Sequence, residues 1–373
     1  MDTGGPMEPS EVERRAASFE AVHPEDYYQR FIAQGIRPDG RTLGGCRALS
    51  VSAGHVSTAV GSALARCGRT SAVAAVTLQV GTPLEATPGC GDIDVQVHLG
   101  PLCDAGRFAV GRPPAEAVAL GALLKRVLCG SGGAFDTEQL GITRGRSAWQ
   151  LHLDVVVLGH DGAVADVAMA AACAALHDTK LPELAAAGGG GGADGGDAAG
   201  RPDADAAAMD DLAPAAGAAL AQRAQDDLFS SMAGGAEGEE GAHAVRVVAG
   251  GAQTRLALRA LPVALTVAVV RQAAEGESAA AADAGATAAS GGGGGALRLV
   301  ADPSAQEESL AVGLMTVVRD GAGGAADGAL LSVSLPGSAA LAPEALKMGM
   351  DMCGTRAAAV GALLEQRKRE INE

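Results

Sequence analysis

Short stretches of alternating apolar and polar residues, separated by glycines, fill the first part of the chain and predict short β-strands. Four strands are predicted, over residues 46–54, 60–66, 71–80 and 92–99. Gly68 lies between the second and third of them and predicts a hairpin turn. Apolar residues at three-and-four spacing then predict a helix that follows Pro113 and Pro114 and ends at Gly130. A further strand, turn and helix are predicted over residues 149–158, 160–162 and 166–176.

The later part of the chain repeats this order of elements. Strands are predicted over residues 244–249, 255–270, 297–301, 310–319 and 329–335. A long closing helix is predicted over residues 343–371, with a proline and a glutamate in its first turn and basic residues near its end. Strands and helices in two halves of similar size predict an α/β or α+β fold.

Two stretches lack the branched apolar residues that a folded core requires. Residues 185–241 and 273–296 consist largely of Gly, Ala and small polar residues, which cannot bury enough apolar area to offset the chain entropy lost on folding. Both are predicted to be disordered insertions, and residues 1–24 are predicted to be a flexible N-terminus. The predicted subdomains are residues 25–184 and residues 242–371.

Charge and hydropathy narrow the class of protein. The 373-residue chain has a net charge of −16, but 12 acidic and only 2 basic residues lie in residues 183–243. The remainder is nearly neutral, so a local basic surface can still contact nucleic acid. The longest apolar run, residues 261–270, is too short to span a membrane, and the first residues lack the apolar region of a secretory signal. The seven cysteines are therefore expected to be free thiols in a reducing compartment.

Motifs of several common enzyme classes are missing from the sequence. It contains no GxxxxGK[ST] phosphate loop, no HExxH helix, no GxSxG turn and no CxxC pair. The cysteines are expected to be small buried hydrophobes. His98, His152, His160 and His177 have no neighbours at metal-ligand spacing. We therefore expect neither a metal nor a cofactor.

Acidic residues are the candidates for acid–base or Mg²⁺ chemistry. Asp161 is more simply a turn residue, and Asp166 more simply the N-cap of the following helix. Asp302 follows a predicted strand and precedes a turn. Glu307 and Glu308 form either a solvated face or the start of the next element, so the residues alone leave both interpretations open.

Arginines in predicted loops suit contacts to phosphate groups. They are Arg37 and Arg41, which flank the turn Pro38-Asp39-Gly40, then Arg107 and Arg112 before the first long helix, and Arg144 and Arg146 before Trp149. Ordinary solubility or internal ion pairs explain each of these arginines at least equally well.

An ordered series of motifs resembles the RNase PH family. The motifs are Tyr27-Tyr28-x-Arg30-Phe31, Ile36-Arg37-Pro38-Asp39-Gly40-Arg41, Gly61-Ser62-Ala63-Leu64, Gly68-Arg69-Thr70, Leu158-x-x-Asp161-Gly162, Thr179-Lys180-Leu181-Pro182, Leu261-Pro262-Val263 and Val300-Ala301-Asp302-Pro303. The resemblance covers residues 25–184 and 244–371.

This resemblance implies a fold of two subdomains, a ribosomal-protein-type βαβ sandwich followed by the C-terminal subdomain of the RNase PH family. Members of the family form six-membered rings around a pore that admits the 3′ end of single-stranded RNA. The implied partners are therefore other ring subunits, cap subunits and single-stranded RNA, with no DNA and no membrane. The implied location is the nucleus and nucleolus, and also the cytoplasm.

Three positions depart from the pattern of active family members. The stretch Asp161-Gly162-Ala163-Val164-Ala165-Asp166 lacks the arginine of the family's Asp-Gly-Gly-Thr-Arg-Thr run. The family's paired aspartates correspond to Asp302 and Glu308, and a displacement of about 1 Å can cost ~100-fold in rate. Arg146-Ser147 only approximates the family's phosphate-binding Arg-Ser pair, since Ala148 and Trp149 stand at that position.

These departures resemble those of the non-catalytic ring subunits of the eukaryotic RNA exosome. The resemblance implies an inactive scaffold for 3′-to-5′ RNA processing and decay, including rRNA maturation and mRNA turnover. Asp161, Asp302 and Glu308 would be remnants of a catalytic site, and Arg107, Arg112 and Arg146 would be candidates for the RNA path.

Two alternatives remain open at this point. The first is an active phosphate-dependent 3′-to-5′ exoribonuclease in which Asp302 and Glu308 hold Mg²⁺ or deliver a proton. The second is an unrelated α/β module that binds a protein partner through its acidic insertion.

Overall fold

The computed structural model describes residues 11–104, 106–108, 111, 113–130, 132–182, 184–186, 245–247, 253–271, 297–322, 328–336 and 343–372. The first half contains α1 (Glu11–Val22), α2 (Pro24–Ala33), β1 (Leu49–Ala53), β2 (Gly61–Cys67), β3 (Thr70–Gly81), β4 (Asp92–His98), α3 (Ala115–Cys129), β5 (Gly141–Thr143), β6 (Ser147–Gly159) and α4 (Val164–Asp178). The second half contains β7 (Lys180–Pro182), β8 (Leu184–Ala186), β9 (Val245–Val247), β10 (Gln253–Arg255), β11 (Pro262–Arg271), β12 (Leu297–Ala301), α5 (Ala305–Leu310), β13 (Gly313–Asp320), β14 (Leu330–Ser334) and α6 (Pro343–Asn372).

A six-stranded sheet forms the first half, with the order β1-β2-β3-β6-β4 and β5 paired to β6. All pairs are antiparallel except β4 and β6, which run parallel. Alternate side chains of each strand face one side of the sheet, so Ala72, Ala74, Val76 and Leu78 of β3 are all buried. Helix α4 covers β1 to β3 and helix α3 covers β4, which turns this face of the sheet into a core.

Helix α4 lies between the two halves of the protein. The second half is an antiparallel sheet of order β12-β11-β13-β14, on which α6 packs, and α4 contacts β11 of this sheet as well as the first sheet. Every residue from Asp166 to His177 is therefore buried. A helix without a polar face is typical of such an interior position, and its many alanines allow the surrounding strands to approach closely.

The predicted α/β class and most predicted strand positions are confirmed. The strand predicted over residues 255–270 is instead two strands, β10 and β11, because the segment between them turns away and Leu258 bridges to Phe135. The strand predicted over residues 310–319 begins only at Gly313, since Leu310 ends α5 and residues 311 and 312 connect the helix to the strand.

Within residues 1–24, which were predicted to be a flexible N-terminus, residues 11–22 form α1. Phe19 of α1 contacts Tyr27 of α2 edge-on, with ring centroids 6.3 Å apart. This contact between two helices stabilises α1, and the sequence of α1 alone does not predict it. The predicted insertions, residues 185–241 and 273–296, lie outside the described residues apart from positions 185 and 186 in β8.

The cysteines are free thiols. Cys67, Cys173 and Cys353 are fully buried, and burial raises the pKa of Cys67 to about 11 and the pKa of both Cys173 and Cys353 to about 12. These three thiols therefore behave as small hydrophobes. Across the ranges given above, no helix is both long and apolar enough to cross a bilayer.

Candidate functional site

The candidate site lies where the start of α4 meets the start of α5. After β6 the chain turns through Gly162, whose φ of +77° suits glycine. A Cβ atom at Gly162 would lie 2.2 Å from the carbonyl oxygen of Pro303, so only glycine permits the two turns to approach this closely. The acidic residues that are far apart in sequence, Asp161 and Asp302, are thereby brought to one place.

Asp302 is 1% exposed and its carboxylate is enclosed by arginine. Its Oδ2 accepts a hydrogen bond from the backbone N–H of Arg47 at 2.6 Å and lies 3.2 Å from Nη1 of Arg41, while its Oδ1 lies 2.6 Å from Nη2 of Arg47. Burial alone would raise the pKa of Asp302, but the hydrogen bonds and charge of Arg47, with Arg41, hold that pKa below its usual value. The Asp302 carboxylate is therefore ionised, and both of its oxygens accept hydrogen bonds from Arg47.

Arg47 also binds the other acidic turn. Its Nη1 donates to the carbonyl oxygen of Asp161 at 2.8 Å and lies 3.5 Å from the Asp161 carboxylate. One guanidinium thus joins Asp161 and Asp302. Arg47 is not among the residues that the sequence singles out, because it stands inside a predicted strand with no turn or motif to distinguish it.

Arg37 and Arg41, the two arginines of the Arg37-Pro38-Asp39-Gly40-Arg41 motif, form internal ion pairs rather than a phosphate site. Arg37 is fully buried, and its guanidinium forms a two-pronged pair with Glu307, in which Nε lies 2.8 Å from Oε1 and Nη2 contacts Oε2. The same guanidinium donates to the carbonyl oxygen of Ala301 at 2.8 Å. Glu307 is 3% exposed and lies in the first turn of α5, so of the two interpretations left open for it the start of the next element is confirmed and the solvated face is not.

Glu307 and Glu308 are both in the first turn of α5 but serve different partners. The side chains of Ser304 and Glu307 form a capping box, in which Ser304 is the N-cap residue of α5. Glu308 instead reaches α4, where its Oε1 accepts a hydrogen bond from the backbone N–H of Ala163 at 2.7 Å. Burial raises the pKa of Glu308, and the nearby charges of Arg107 and Arg47 oppose that rise.

The prediction of Asp166 as a helix N-cap is wrong. The N-cap of α4 is Ala163, and the Asp166 side chain points into the interior, where it accepts hydrogen bonds from the backbone N–H and the hydroxyl of Thr266 at 3.1 and 2.8 Å. Burial, together with the charge of Asp302, raises the pKa of Asp166 to about 7. Asp166 therefore joins α4 to β11 and is not available for chemistry at the surface.

The two RNA-path candidates that the structure describes, Arg107 and Arg146, are not brought together. Arg107 donates to Oε1 of Glu116 at 2.6 Å and lies near His160, whose ring packs 5.9 Å from that of Phe108. Arg146 is exposed in the turn before β6, whereas His160 follows the end of β6. β6, a strand of 13 residues that spans about 40 Å, lies between the Arg146 turn and His160. Arg112 lies outside the described residues.

Metal-ligand geometry is missing from the described part of the chain. No group of three or more His, Cys, Asp or Glu side chains there is arranged to hold a metal ion. The histidines singled out above are scattered accordingly, with His152 near Asp94 and His98 near Asp154 on the open face of the first sheet, at 3.9 and 3.8 Å.

Comparison with known proteins agrees with this architecture. Residues 45–182 match the model of the RNase PH family, described as the 3′ exoribonuclease family, domain 1. The exosome complex component Rrp42 of Methanocella arvoryzae is 38% identical over 157 residues, which cover 42% of this chain and 60% of that protein. The exosome complex component rrp43 of Schizosaccharomyces pombe is 33% identical over 164 residues, which cover 44% of this chain and 60% of that protein. The chain thus spans 60% of the length of these two relatives.

Solved structures share the fold over most of the chain. A chain of the Archaeoglobus fulgidus exosome with RNA bound to the active site has a TM-score of 0.60 at 22% identity, covering 90% of this chain and 95% of that one. A chain of an archaeal exosome core has a TM-score of 0.57 at 21% identity, covering 95% and 99%. The predicted RNase PH-like fold is thereby confirmed, and residues 45–182 match domain 1 of the RNase PH family.

Proposed function

We propose that this protein is a non-catalytic ring subunit of an RNA exosome core. In this role it scaffolds a six-membered RNase PH-like ring and guides single-stranded RNA for 3′-to-5′ processing and degradation. The names of its relatives and the exosome cores among its structural neighbours support this assignment. Its motifs are most similar to those of exosome complex component eight.

The observation that carries the inactive assignment is the enclosure of Asp302. An aspartate that binds Mg²⁺ or transfers a proton needs an accessible oxygen, and both oxygens of Asp302 already accept hydrogen bonds from Arg47. The second acidic position, Glu308, is bound to α4 through Ala163. Both carboxylates would have to leave charged or polar partners before they could act, and a buried carboxylate without its partner is strongly disfavoured.

The RNA contacts that we propose are to the phosphate backbone and do not read bases. Arg146 is the stronger candidate, because its side chain is exposed in the β5–β6 turn. Arg107 is the weaker one, since its guanidinium already binds Glu116. The assignment of Arg112 to the same path rests on the sequence alone. A path that uses both Arg107 and Arg146 has to follow the full length of β6.

The remaining parts of the proposal rest on the resemblance. The partners are other ring subunits, cap subunits and single-stranded RNA. The protein acts in rRNA maturation and mRNA turnover, in the nucleus and nucleolus and also in the cytoplasm, and it needs no metal or cofactor of its own.

Two measurements test this function. Native mass spectrometry of the tagged chain, purified gently from its own cells, should show a hetero-oligomer that contains this chain once among other RNase PH-like subunits. The purified chain, incubated with single-stranded RNA and inorganic phosphate, should release no nucleoside diphosphates. A homo-hexamer that releases nucleoside diphosphates, with the release abolished by Asp302→Asn, would overturn the proposal in favour of the active exoribonuclease.

A further inference from the structure

An open groove of about 360 Å³ lies between the two N-terminal helices, α1 and α2, and the short helix α5. Ligand sites in proteins have volumes of about 300–1,000 Å³, so this groove is at the lower end of that range. Pro24 and Leu310 supply apolar parts of its two walls. Its polar parts come from four side chains, which are Glu20, Tyr28, Gln306 and Ser309. The groove therefore has room for one side chain of a partner and presents polar groups between apolar walls.

The polar groups of the groove are mainly hydrogen-bond acceptors. The Tyr28 hydroxyl donates to Oε1 of Gln306 and lies 3.4 Å from Oε1 of Glu20. The Ser309 hydroxyl donates to the backbone carbonyl oxygen of Gln306 at 2.7 Å, and its oxygen keeps the capacity to accept. A carboxylate accepts about four hydrogen bonds, so the contact with Tyr28 leaves most of the capacity of Glu20 unused. The groove thus suits a group that donates several hydrogen bonds and accepts none.

The groove is negatively charged. Among the described residues that line it, Glu20 is the one with a charge. Burial and the charges of Glu20 and Glu307 raise the pKa of the Tyr28 hydroxyl above its ordinary value, as expected for a group in a negative field. Glu25 and Asp26 add two acidic side chains in the first turn of α2. The field therefore favours a cation and opposes the phosphate groups of a nucleic acid.

A cluster of aromatic side chains continues the groove along α1 and α2. The chain contains one Trp, two Tyr and five Phe, and four of these eight residues lie at positions 19, 27, 28 and 31. The ring of Tyr27 lies 5.5 Å from that of Tyr28 and 5.0 Å from that of Phe31. The guanidinium of Arg30 lies 4.8 Å from the centre of the Phe19 ring, so the cluster already stacks with an arginine of its own chain. Aromatic side chains are enriched at protein interfaces, which makes this end of the molecule a candidate contact surface.

Arginine is the side chain that fits this combination. Its planar guanidinium has five N–H donors and no acceptor, pairs with carboxylates and stacks on aromatic rings, whereas the lysine ammonium is a compact point charge. The aliphatic stem of an arginine covers apolar surface, here that of Pro24 and Leu310. Single-stranded nucleic acid also stacks on aromatic side chains, but it binds in a positively charged groove. The acidic Glu20 therefore favours a protein partner over RNA.

We propose that the groove between α1, α2 and α5 is a docking site for a segment of a partner protein, which inserts an arginine side chain against Glu20. Apolar residues on either side of that arginine contact Pro24 and Leu310. The site is a property of the isolated chain and does not depend on the ring function proposed above. Each of the two proposals can therefore fail without the other.

The test is the binding of two matched peptides to the full-length chain, measured by fluorescence anisotropy at constant ionic strength. Both are fluorescein-labelled and have the sequence Gly-Ala-Leu-X-Leu-Ala-Gly, in which X is arginine or its neutral isostere citrulline. The wild-type chain should bind the arginine peptide at least about fivefold more tightly than the citrulline peptide. Glu20→Gln keeps the shape of the side chain without its charge and should abolish this preference. Glu25→Gln, the matched control, removes an exposed carboxylate that does not line the groove and should retain it.

A second variant tests the place of binding without removing a charge. Ser309 is exposed on α5, so Ser309→Trp fills the groove from its rim and should weaken the binding of both peptides at least about tenfold. Circular dichroism and the thermal unfolding midpoint establish that each variant is folded.

Three results with the peptides would overturn the proposal. They are equal affinity of the wild type for the two peptides, no binding of either peptide up to about 1 mM, and a preference for arginine that persists in Glu20→Gln. Displacement of the arginine peptide by single-stranded RNA would also overturn it, because the groove would then take nucleic acid. The same holds for a dimer of the wild-type chain that Glu20→Gln dissociates in sedimentation velocity, because the occupant would then be a second copy.

Discussion

Asp302 and Arg47 are 255 positions apart in sequence, yet the backbone and the guanidinium of Arg47 both bind the Asp302 carboxylate, each at 2.6 Å. Arg47 precedes β1, the first strand of one half of the protein, and Asp302 follows β12, an edge strand of the sheet in the other half. The pair therefore joins the two halves of the protein and encloses the Asp302 carboxylate.

Arg47→Ala should lower the free energy of unfolding by about 3–5 kcal/mol, because it leaves the buried Asp302 carboxylate without its main partner. Arg66→Ala is the matched control, since Arg66 is exposed and donates only to a nearby carbonyl oxygen. Its effect should stay within about 0.5 kcal/mol. Urea unfolding curves measure both, and equal midpoints for the two variants would contradict the role given to Arg47.

Asp166 should make stability fall as pH rises from about 4 to 7. Its pKa is raised to about 7 in the folded chain, so the folded state binds more protons than the unfolded state in this range. His177 acts in the opposite direction, because burial lowers its pKa to about 4. The informative quantity is therefore the difference between the wild type and Asp166→Asn.

The difference in unfolding midpoint between these two chains should shift in favour of Asp166→Asn as pH rises from 5 to 8. The amide keeps an acceptor for Thr266 but carries no charge to bury. A difference that does not change with pH would show that the hydrogen bonds from Thr266 and the charge of Arg356 fully compensate the effects of burial and of the Asp302 charge on Asp166.

The buried pair of Arg37 and Glu307 should behave as a unit. Arg37→Met leaves an unpaired buried carboxylate and should cost about 3–5 kcal/mol of stability. Adding Glu307→Met should recover part of this loss, because the double variant buries no lone charge. A double variant that is less stable than Arg37→Met would mean that the capping box at Ser304 contributes more than the charge pair.

Arg146→Ala should weaken RNA binding by the assembled ring and reduce the slope of log affinity against log salt concentration by about 1. Arg107→Ala should change the slope less, since its charge is partly neutralised by Glu116. Arg66→Ala serves as the control for a general loss of positive charge. Binding at several salt concentrations, measured by fluorescence anisotropy with a labelled single strand, distinguishes these outcomes, and an unchanged slope for Arg146→Ala would remove it from the RNA path.

The local pattern of apolar residues, glycines and prolines is sufficient to predict most of the secondary structure. Strands β3 and β6 alternate over most of their length between buried positions and more accessible ones, and α3 begins after two prolines and is followed by Gly130. Each of these elements therefore carries its own period and boundary signals. Helix α5 was not predicted because it is short and depends on a capping box. The contact between Phe19 and Tyr27 explains why α1 was also missed.

The sequence by itself determined the α/β class, the order of the main elements, the turn of the RPDGR motif and the family resemblance, because periodicity, turn residues and short motifs are local properties. Only the tertiary structure decided the state of the acidic residues. Asp302 is enclosed by Arg47, Glu308 fills the end of α4, and Asp166 faces the interior. A carboxylate has the same local sequence whether it is free or paired, and its partner is known only once distant elements have packed together.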